Sequence, residues 1–589
     1  MPDHDYVPLM FQAQVSGRSQ IHKLQDLSKK ARELGVRKET LTQQAYDWAQ
    51  QWQDACDEDN IPQFASHIQT RQYQFTWRMV TNSGQDAGVI RPVIGERGWA
   101  YFPGSSMKGA FLRACRQLCP EDEVLDFCGG KDKDGELHPG ILRFHGGYPK
   151  DADWLDDSLV DVVHPQEDWQ TKNQGNHSAF IQISLHQPTF VFGISSTKDL
   201  DKNQWETIWK VWNRALARGI GSRVSAGYGQ VKARSESRLL AVGLSGQGLA
   251  SQRIDRIGEF RANIFKAALR GHTRRLLYGV TDADTAESIT KKLWGGFEGR
   301  KGAVVGVLGV AFNAPELIED TYIYLENGNP QYMPIYETGD ASLSLLLMKD
   351  ISERDHKNLR IWITQLVKFA MLLGGFGRSW RRVDHREFSH HQLLPRYLKN
   401  TQNQNINPMI GCHWSFTDKS RSLYIPVNQL KDVGVFLDKF HKSTQDLISK
   451  GRLDFLRKNK YSINTLTSDI REAWYKGNVE VWGRIAQHPG DSLAIAWFHK
   501  PYQEAESIKH SELTGWSSRN DRQPKTKIGR IWHRIYPHYI KQDDELHPTK
   551  EYVELLTIFP NQDGDEKEVE KTAKFLRFLD QGTDFQQLW

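Results

Sequence analysis

In the run "NQWETIWKVWNRALA" the bulky residues Trp205, Ile208, Trp209, Trp212 and Leu216 recur at intervals of three and four, the spacing of a single helix face. Gly219 closes this helix. The stretch after it, "ARGIGSRVSAGYGQ", sets Gly221, Gly227 and Gly229 among Ser222, Arg223, Ser225 and Tyr228. Backbone free to approach a ligand, next to a cation and hydroxyls, suits a polyanion. The polar and apolar pattern changes period at Gln72. There Tyr73, Phe75, Trp77 and Met79 alternate with polar residues and predict a strand with one buried face. "YFPGSSMKGAFLRACRQL" follows, predicting a helix that begins near Lys108 with Ser105 or Ser106 as its cap. A helix start carrying two serines and a lysine offers N–H groups, hydroxyls and charge to a phosphate. Two strands, "AFIQISLHQP" and "TFVFGISS", lead back to the helix of that first run.

The same order of elements recurs roughly 155–165 residues later, a domain-sized repeat. "RLLAVGLSGQGLASQRI" matches "FTWRMVTNSGQDAGVIR", and "NIFKAALRGHTRRLL" matches "SSMKGAFLRACRQL", with Lys266 opposite Lys108. "ASLSLLLMKD" is aligned with "AFIQISLHQP". "FAMLLGGFGRSWRR" repeats the helix end and glycine loop, with Gly374, Gly375 and Gly377 leading into Arg378, Trp380, Arg381 and Arg382. Each copy reads β–α–β–β–α–β. This predicts an α+β chain of two tandem ferredoxin-like, RNA-recognition-type domains. The expected boundaries are a helical extension over 1–70, a first domain over 71–236 and a second over 237–589, with a helical insertion at about 435–475. The extension is expected to be a solvated helix. The polar stretch 150–178 is expected to protrude.

Composition narrows the partner. The net charge of +5 comes from 77 basic and 72 acidic residues. Residues 1–235 hold 27 basic and 29 acidic, so the remainder holds 50 and 43. The basic surplus therefore lies in the second half, where an anionic partner is sought first. No run of 18 apolar residues and no basic leader followed by an apolar core is present, so a soluble, cytoplasmic protein without membrane partners is expected. Five cysteines in 589 residues do not form a disulfide framework. Cys115, Cys119 and Cys128, with His138 and His145 downstream, are a candidate zinc set. Cys115 and Cys119 fall one turn apart on an apolar helix and read as core, so neither metal nor cofactor is expected. "GGKDKDG" lacks the Lys-Ser/Thr ending of a phosphate-binding P-loop.

"FPGSSMKGAFLR" after a first strand, a Gly-Gly turn before an edge strand and the loop "GIGSRVSAGYG" together resemble the RAMP superfamily of CRISPR effector proteins. "LVDVVHPQEDW" with "AFIQISLHQPTFVFGIS" resembles the Cmr subunit that caps the type III-B filament. "FKAALRGHTRRLL", "LWGGFEGRKGAV" and "GGFGRSWRR" are similar to the other terminal Cmr subunit, so the chain looks like a fusion of the two. The resemblance implies a structural subunit holding the 3′ part of the CRISPR guide RNA. It also implies complementary target RNA, backbone RAMP subunits and the large polymerase-like subunit as partners. The implied contacts are Ser105, Ser106, Lys108, Arg113, Gly221, Ser222, Arg223, Gly375, Gly377, Arg378, Arg381 and Arg382 on phosphates, with Tyr228 and Trp380 stacking on bases. In the second copy they fall to Lys266, Arg270, His272 and Arg274. Cleaving relatives carry an aspartate in the loop after the first strand, where Asp86 stands. Other relatives cut precursor RNA through a histidine, for which His272, His385, His390 and His391 are candidates. A RAMP endoribonuclease is therefore the alternative to a non-catalytic binder.

Overall fold

The computed structural model describes residues 38–56, 58–81, 84–86, 89–163, 180–231, 238–253, 257–297, 303–326, 329–377, 412–456, 470–518, 525–560 and 565–589. Helix and small antiparallel sheets alternate along the chain, an α+β arrangement.

Helix α1 (Lys38–Ala55) comes first. It is no solvated extension, because Ala45, Trp48, Ala49 and Trp52 are buried in the core of the elements that follow. Strand β1 (Gln69–Gln74), helices α2 (Gly104–Leu118) and α3 (Glu121–Cys128), strands β2 (Leu142–Pro149) and β3 (Thr189–Ser196) and helix α4 (Lys202–Leu216) complete this region. The sheet order is β1-β3-β2, antiparallel throughout. A bridge between Phe75 and Val231 adds a rudimentary fourth member beyond β1. Helix α4 starts on a capping box formed by Asp201 and Gln204, and buries Ile208, Trp209, Trp212 and Leu216 as its periodicity requires. Tyr73, Phe75, Trp77 and Met79 are all buried, but not on one strand: β1 ends at Gln74, Arg78–Met79 pair instead with Leu185–His186, and Arg78 and Val80 are buried as well.

Strand β4 (Arg238–Leu249) opens the second region. It is followed by helices α5 (Asn263–Tyr278) and α6 (Ala283–Trp294), strands β5 (Leu308–Asn313), β6 (Ile318–Glu326) and β7 (Asn329–Leu347), helix α7 (Glu353–Phe369) and strand β8 (His413–Phe416). The order β5-β7-β4-β8, with β6 on the other part of β7, repeats the order of the first sheet strand for strand. The bridge at Val231 stands where β8 stands. This register corrects one alignment: β7, which contains "ASLSLLL", corresponds to β3 (Thr189–Ser196) and not to "AFIQISLHQP". The latter forms part of a separate small sheet with Gly84–Asp86, Val89–Arg91 and Val160–Val163. The 150–178 stretch does not wholly protrude either, since Trp154, Leu159, Val160 and Asp161 are buried. Its remainder from 164 lies outside the described residues.

Helix α8 (Lys431–Ser449) occupies the start of the expected insertion. Strand β9 (Glu480–Ala486), the short helix α9 (Ala494–His499), strands β10 (Ile531–Gln542) and β11 (Glu545–Ile558), helix α10 (Glu566–Gly582) and strand β12 (Gln586–Gln587) build a third sheet of order β10-β11-β9-β12. Buried Arg534 fastens this sheet to the second region, donating to the backbone oxygens of Met371 and Trp414. Trp474, Trp532, Phe559 and Trp589 share one core with α5 and α7.

Candidate nucleic-acid interface

The glycine loop after α4 is shaped by left-handed backbone at Gly219, Gly221, Arg223, Gly227 and Gly229. Two of these glycines admit nothing larger. A Cβ on Gly221 would lie 2.5 Å from Val80 O, and one on Gly229 would collide with Ile220 O. The loop is stitched to the end of the first strand region through Ser222 N to Val80 O (2.8 Å) and Gly229 N to Arg78 O (2.9 Å). Gln230 Nε2 donates to Val224 O inside the loop (2.9 Å).

The other side of the loop meets the second region. Ser225 lies against Gly309 of β5, Gly227 against Ala262, and Lys266 Nζ of α5 donates to Ser225 Oγ at 2.6 Å. The loop is thus part of a seam between the two repeats. Beneath it runs a buried charge network. Arg78 Nε donates to Glu259 Oε1 at 2.7 Å, and Arg78 Nη1 to Ser184 Oγ at 3.0 Å. Arg261 pairs with Asp161, which also accepts from Gln182 Nε2 (2.6 Å) and Tyr228 Oη (2.8 Å). Burial alone would raise the Glu259 pKa, but adjacent Arg78 holds it down at about 2. This network has no counterpart in the sequence reading. Arg78 sits inside an alternating apolar strand and Glu259 some 180 residues later, with no local pattern to join them.

The predicted site residues separate accordingly. Tyr228 is fully buried, its ring 4.5 Å from that of Trp77, so it cannot stack on a base; it is a strut of the seam. Arg274 is buried and paired with Glu287 and the Tyr278 hydroxyl, and His272 is buried between Phe369 and Trp532. Neither faces a ligand. Both are contacts that the resemblance implies; the structure instead places them on the inward face of α5. Gly374 packs on His272 with no room for a Cβ. Gly375 is buried and Gly377 half-buried, both with left-handed backbone. Arg378, Trp380, Arg381, Arg382, His385, His390 and His391 lie outside the described residues. Asp86 ends the edge strand of the small sheet.

What remains forms two cationic groups. On α2, Ser105, Ser106, Lys108 and Arg113 are exposed. The helix begins at Gly104 behind Pro103 and has no side-chain cap, so the serines stand in the first turn and do not cap it. At the seam, Arg223 from the loop and Arg270 from α5 lie within electrostatic reach of Lys266. Burial, then repulsion from Arg270 and Arg223, lowers the Lys266 pKa to about 7. Burial likewise lowers that of Arg223, against the pull of Tyr228 and Asp161. Lys266, disfavoured as a cation by burial and by two arginines, is a group whose charged form an anion stabilises.

The candidate zinc set does not assemble. Cys115 and Cys128 are buried near each other, whereas His138 joins Asp132 (2.6 Å) and Glu136 on an exposed hairpin and His145 bonds Ser195 Oγ. Among the described residues no helix is long and apolar enough to cross a membrane.

No protein-family model matches the chain, and no curated protein matches it. Among solved structures, a type III-B Cmr-beta complex bound to cognate target RNA matches 28% of this chain and 57% of its own chain, at 20% identity and a TM-score of 0.23. A type IV-B CRISPR complex matches 28% of this chain and 93% of its own, at 18% identity and a TM-score of 0.20. The chain spans just over half the length of the first of these. Likeness at that level assigns neither fold nor function, which rest on the geometry above.

Proposed function

We propose that this chain is a non-catalytic, RNA-binding structural subunit of a type III CRISPR ribonucleoprotein, built on two tandem RAMP-type ferredoxin-like domains and holding the 3′ part of the guide RNA. The observation that carries this reading is Lys266, bonded to Ser225 of the glycine loop at the seam and flanked by the cations Arg223 and Arg270. A nucleic-acid backbone supplies the anions such a cluster favours, and its contacts there are independent of sequence. The shared strand order of the two sheets supports tandem domains of one type. The serine-lysine helix start and both glycine loops support the superfamily. Guide RNA, target RNA, backbone RAMP subunits and the large subunit are the partners this reading entails. Histidine-based cleavage gains no support from His272, which is buried among aromatic rings.

The test is binding of a fluorescent single-stranded RNA to the purified chain across a salt series. Affinity should fall linearly with salt on logarithmic axes. Arg223→Ala/Arg270→Ala should flatten the slope by about 1.4, at roughly 0.7 for each phosphate contact on single strands. An unchanged slope and affinity in the double variant would overturn the reading.

A further inference from the structure

Away from the seam, α7 and α8 pack side by side and leave a groove of about 440 Å3. Its walls are Ile361 on α7, Phe436 on α8 and the Ile425–Pro426 segment. Ile361 is 52% exposed, and Val435 beside Phe436 is 46% exposed. These are large aliphatic surfaces left to water on neighbouring helices.

Two cations border the trough. Arg360 makes no ion pair among the described residues. Among the described residues Lys368 Nζ donates only to the Ser422 carbonyl, at 3.4 Å. Burial lowers the Lys368 pKa with no carboxylate to offset it. The groove lining contains no acid. Arg360 and Lys368 are eight residues apart on one helix, about 12 Å along its axis. The wall also holds Gln365 Oε1, buried and without a hydrogen-bond partner among the described residues.

These features select a class of ligand. A nucleic-acid backbone asks for many cations along a polar track. A peptide brings aliphatic side chains and carboxylates, each matched here by a feature of the groove. We propose that the α7–α8 groove docks an acidic, leucine-bearing helical segment of a partner protein, with carboxylates on Arg360 and Lys368 and aliphatic side chains against Ile361, Pro426 and Phe436. This docking is independent of RNA binding at the seam.

The experiment uses the full chain and a fluorescein-labelled amphipathic peptide with Glu and Leu on one face, read by anisotropy. Binding should weaken about tenfold or more in Ile361→Glu and in Lys368→Glu, while both variants keep the parent circular dichroism and RNA affinity. A Lys-for-Glu version of the peptide should not bind. Equal binding by the Lys peptide, or undiminished binding to Ile361→Glu, would overturn the proposal. Displacement of the peptide by a single-stranded RNA would instead make this a nucleic-acid face. A photo-crosslinker placed at position 361 that captures residues 1–37 of the same chain, or a second copy, would show the groove to be self-occupied, and the proposal would fail.

Discussion

In the first repeat the residues Ser105, Ser106 and Lys108 stand in solvent on the opening turns of α2. At the matching place in the second repeat, Lys266 is half-buried against Ser225 of the neighbouring glycine loop, with Arg270 one turn on. The two helix starts hold the same place in the order of elements and carry similar charge, yet only the second is enclosed. Enclosure changes the chemistry. Lys266 loses hydration and gains two cationic neighbours, so its proton is held weakly, whereas an exposed lysine is screened by water. A phosphate at the seam therefore meets cations already gathered and partly dehydrated. One at α2 must gather them itself.

Breaking the seam should have the largest effect. Arg78→Met leaves buried Glu259 with only the longer Arg253 pair at 3.7 Å and the Trp77 Nε1 bond, and denaturant unfolding should show a loss of about 3 kcal/mol. Glu259→Met added to it should recover most of that loss, because the uncompensated charge is gone. If Arg78→Met alone is neutral, the two repeats are not held by this pair. The low pKa of Glu259 fixes a pH window as well. Its contribution is complete above about 4.5 and is lost as pH falls towards 2, so acid unfolding of Glu259→Gln should lack that component.

The pH response of Lys266 is next in size. Its folded pKa of about 7 lies below the ordinary lysine value of 10.5, so between these values the unfolded chain binds more protons and stability rises with pH. Lys266→Met should abolish that rise in thermal melts taken from pH 7 to 10. A bound phosphate restores the proton, so RNA affinity should fall several-fold, and at most about tenfold, from pH 7 to 8. The same scan on Lys108→Met should retain the fall. A pH-independent affinity in the parent chain would remove the distinction between the two helix starts.

Direct comparison of the two sites gives a smaller difference. Arg223→Ala/Arg270→Ala should weaken RNA binding more than Lys108→Ala/Arg113→Ala in the same salt series, since dehydrated cations contribute more per charge. Equal losses would mean that enclosure adds nothing. The smallest effect is expected from Ser105→Ala/Ser106→Ala, within about 0.5 kcal/mol in stability, because neither serine caps α2. Asp201→Ala, which removes a true capping box, should cost about 1 kcal/mol.

Much of this was legible in the chain, at positions where one residue's neighbours along the sequence decide its environment. The apolar face of α4 and the alternation from Tyr73 to Met79 follow from period, and Ile208, Trp209, Trp212, Leu216, Tyr73, Phe75, Trp77 and Met79 are buried, with Trp205 half-buried. The repeat was legible too, since duplicated elements keep their order. Alignment of "ASLSLLLMKD" went astray because period-2 strands resemble one another and only hydrogen-bond register tells them apart.

Tyr228, His272, Arg274 and Lys266 show the limit. Each is polar, lies in a promising motif and matches the chemistry of an RNA contact. Which of them reaches solvent is decided by long-range packing: Tyr228 and Lys266 meet the seam that Arg78, Glu259, Asp161 and Arg261 build across 100 to 181 residues, and His272 and Arg274 turn inward to Phe369, Trp532 and Glu287. The sequence by itself determined the elements, their repetition and the stock of cations and glycines, because periodicity and backbone freedom are local properties. The tertiary structure alone decided which cations share a site, because burial and electrostatic proximity belong to surfaces that meet only after folding.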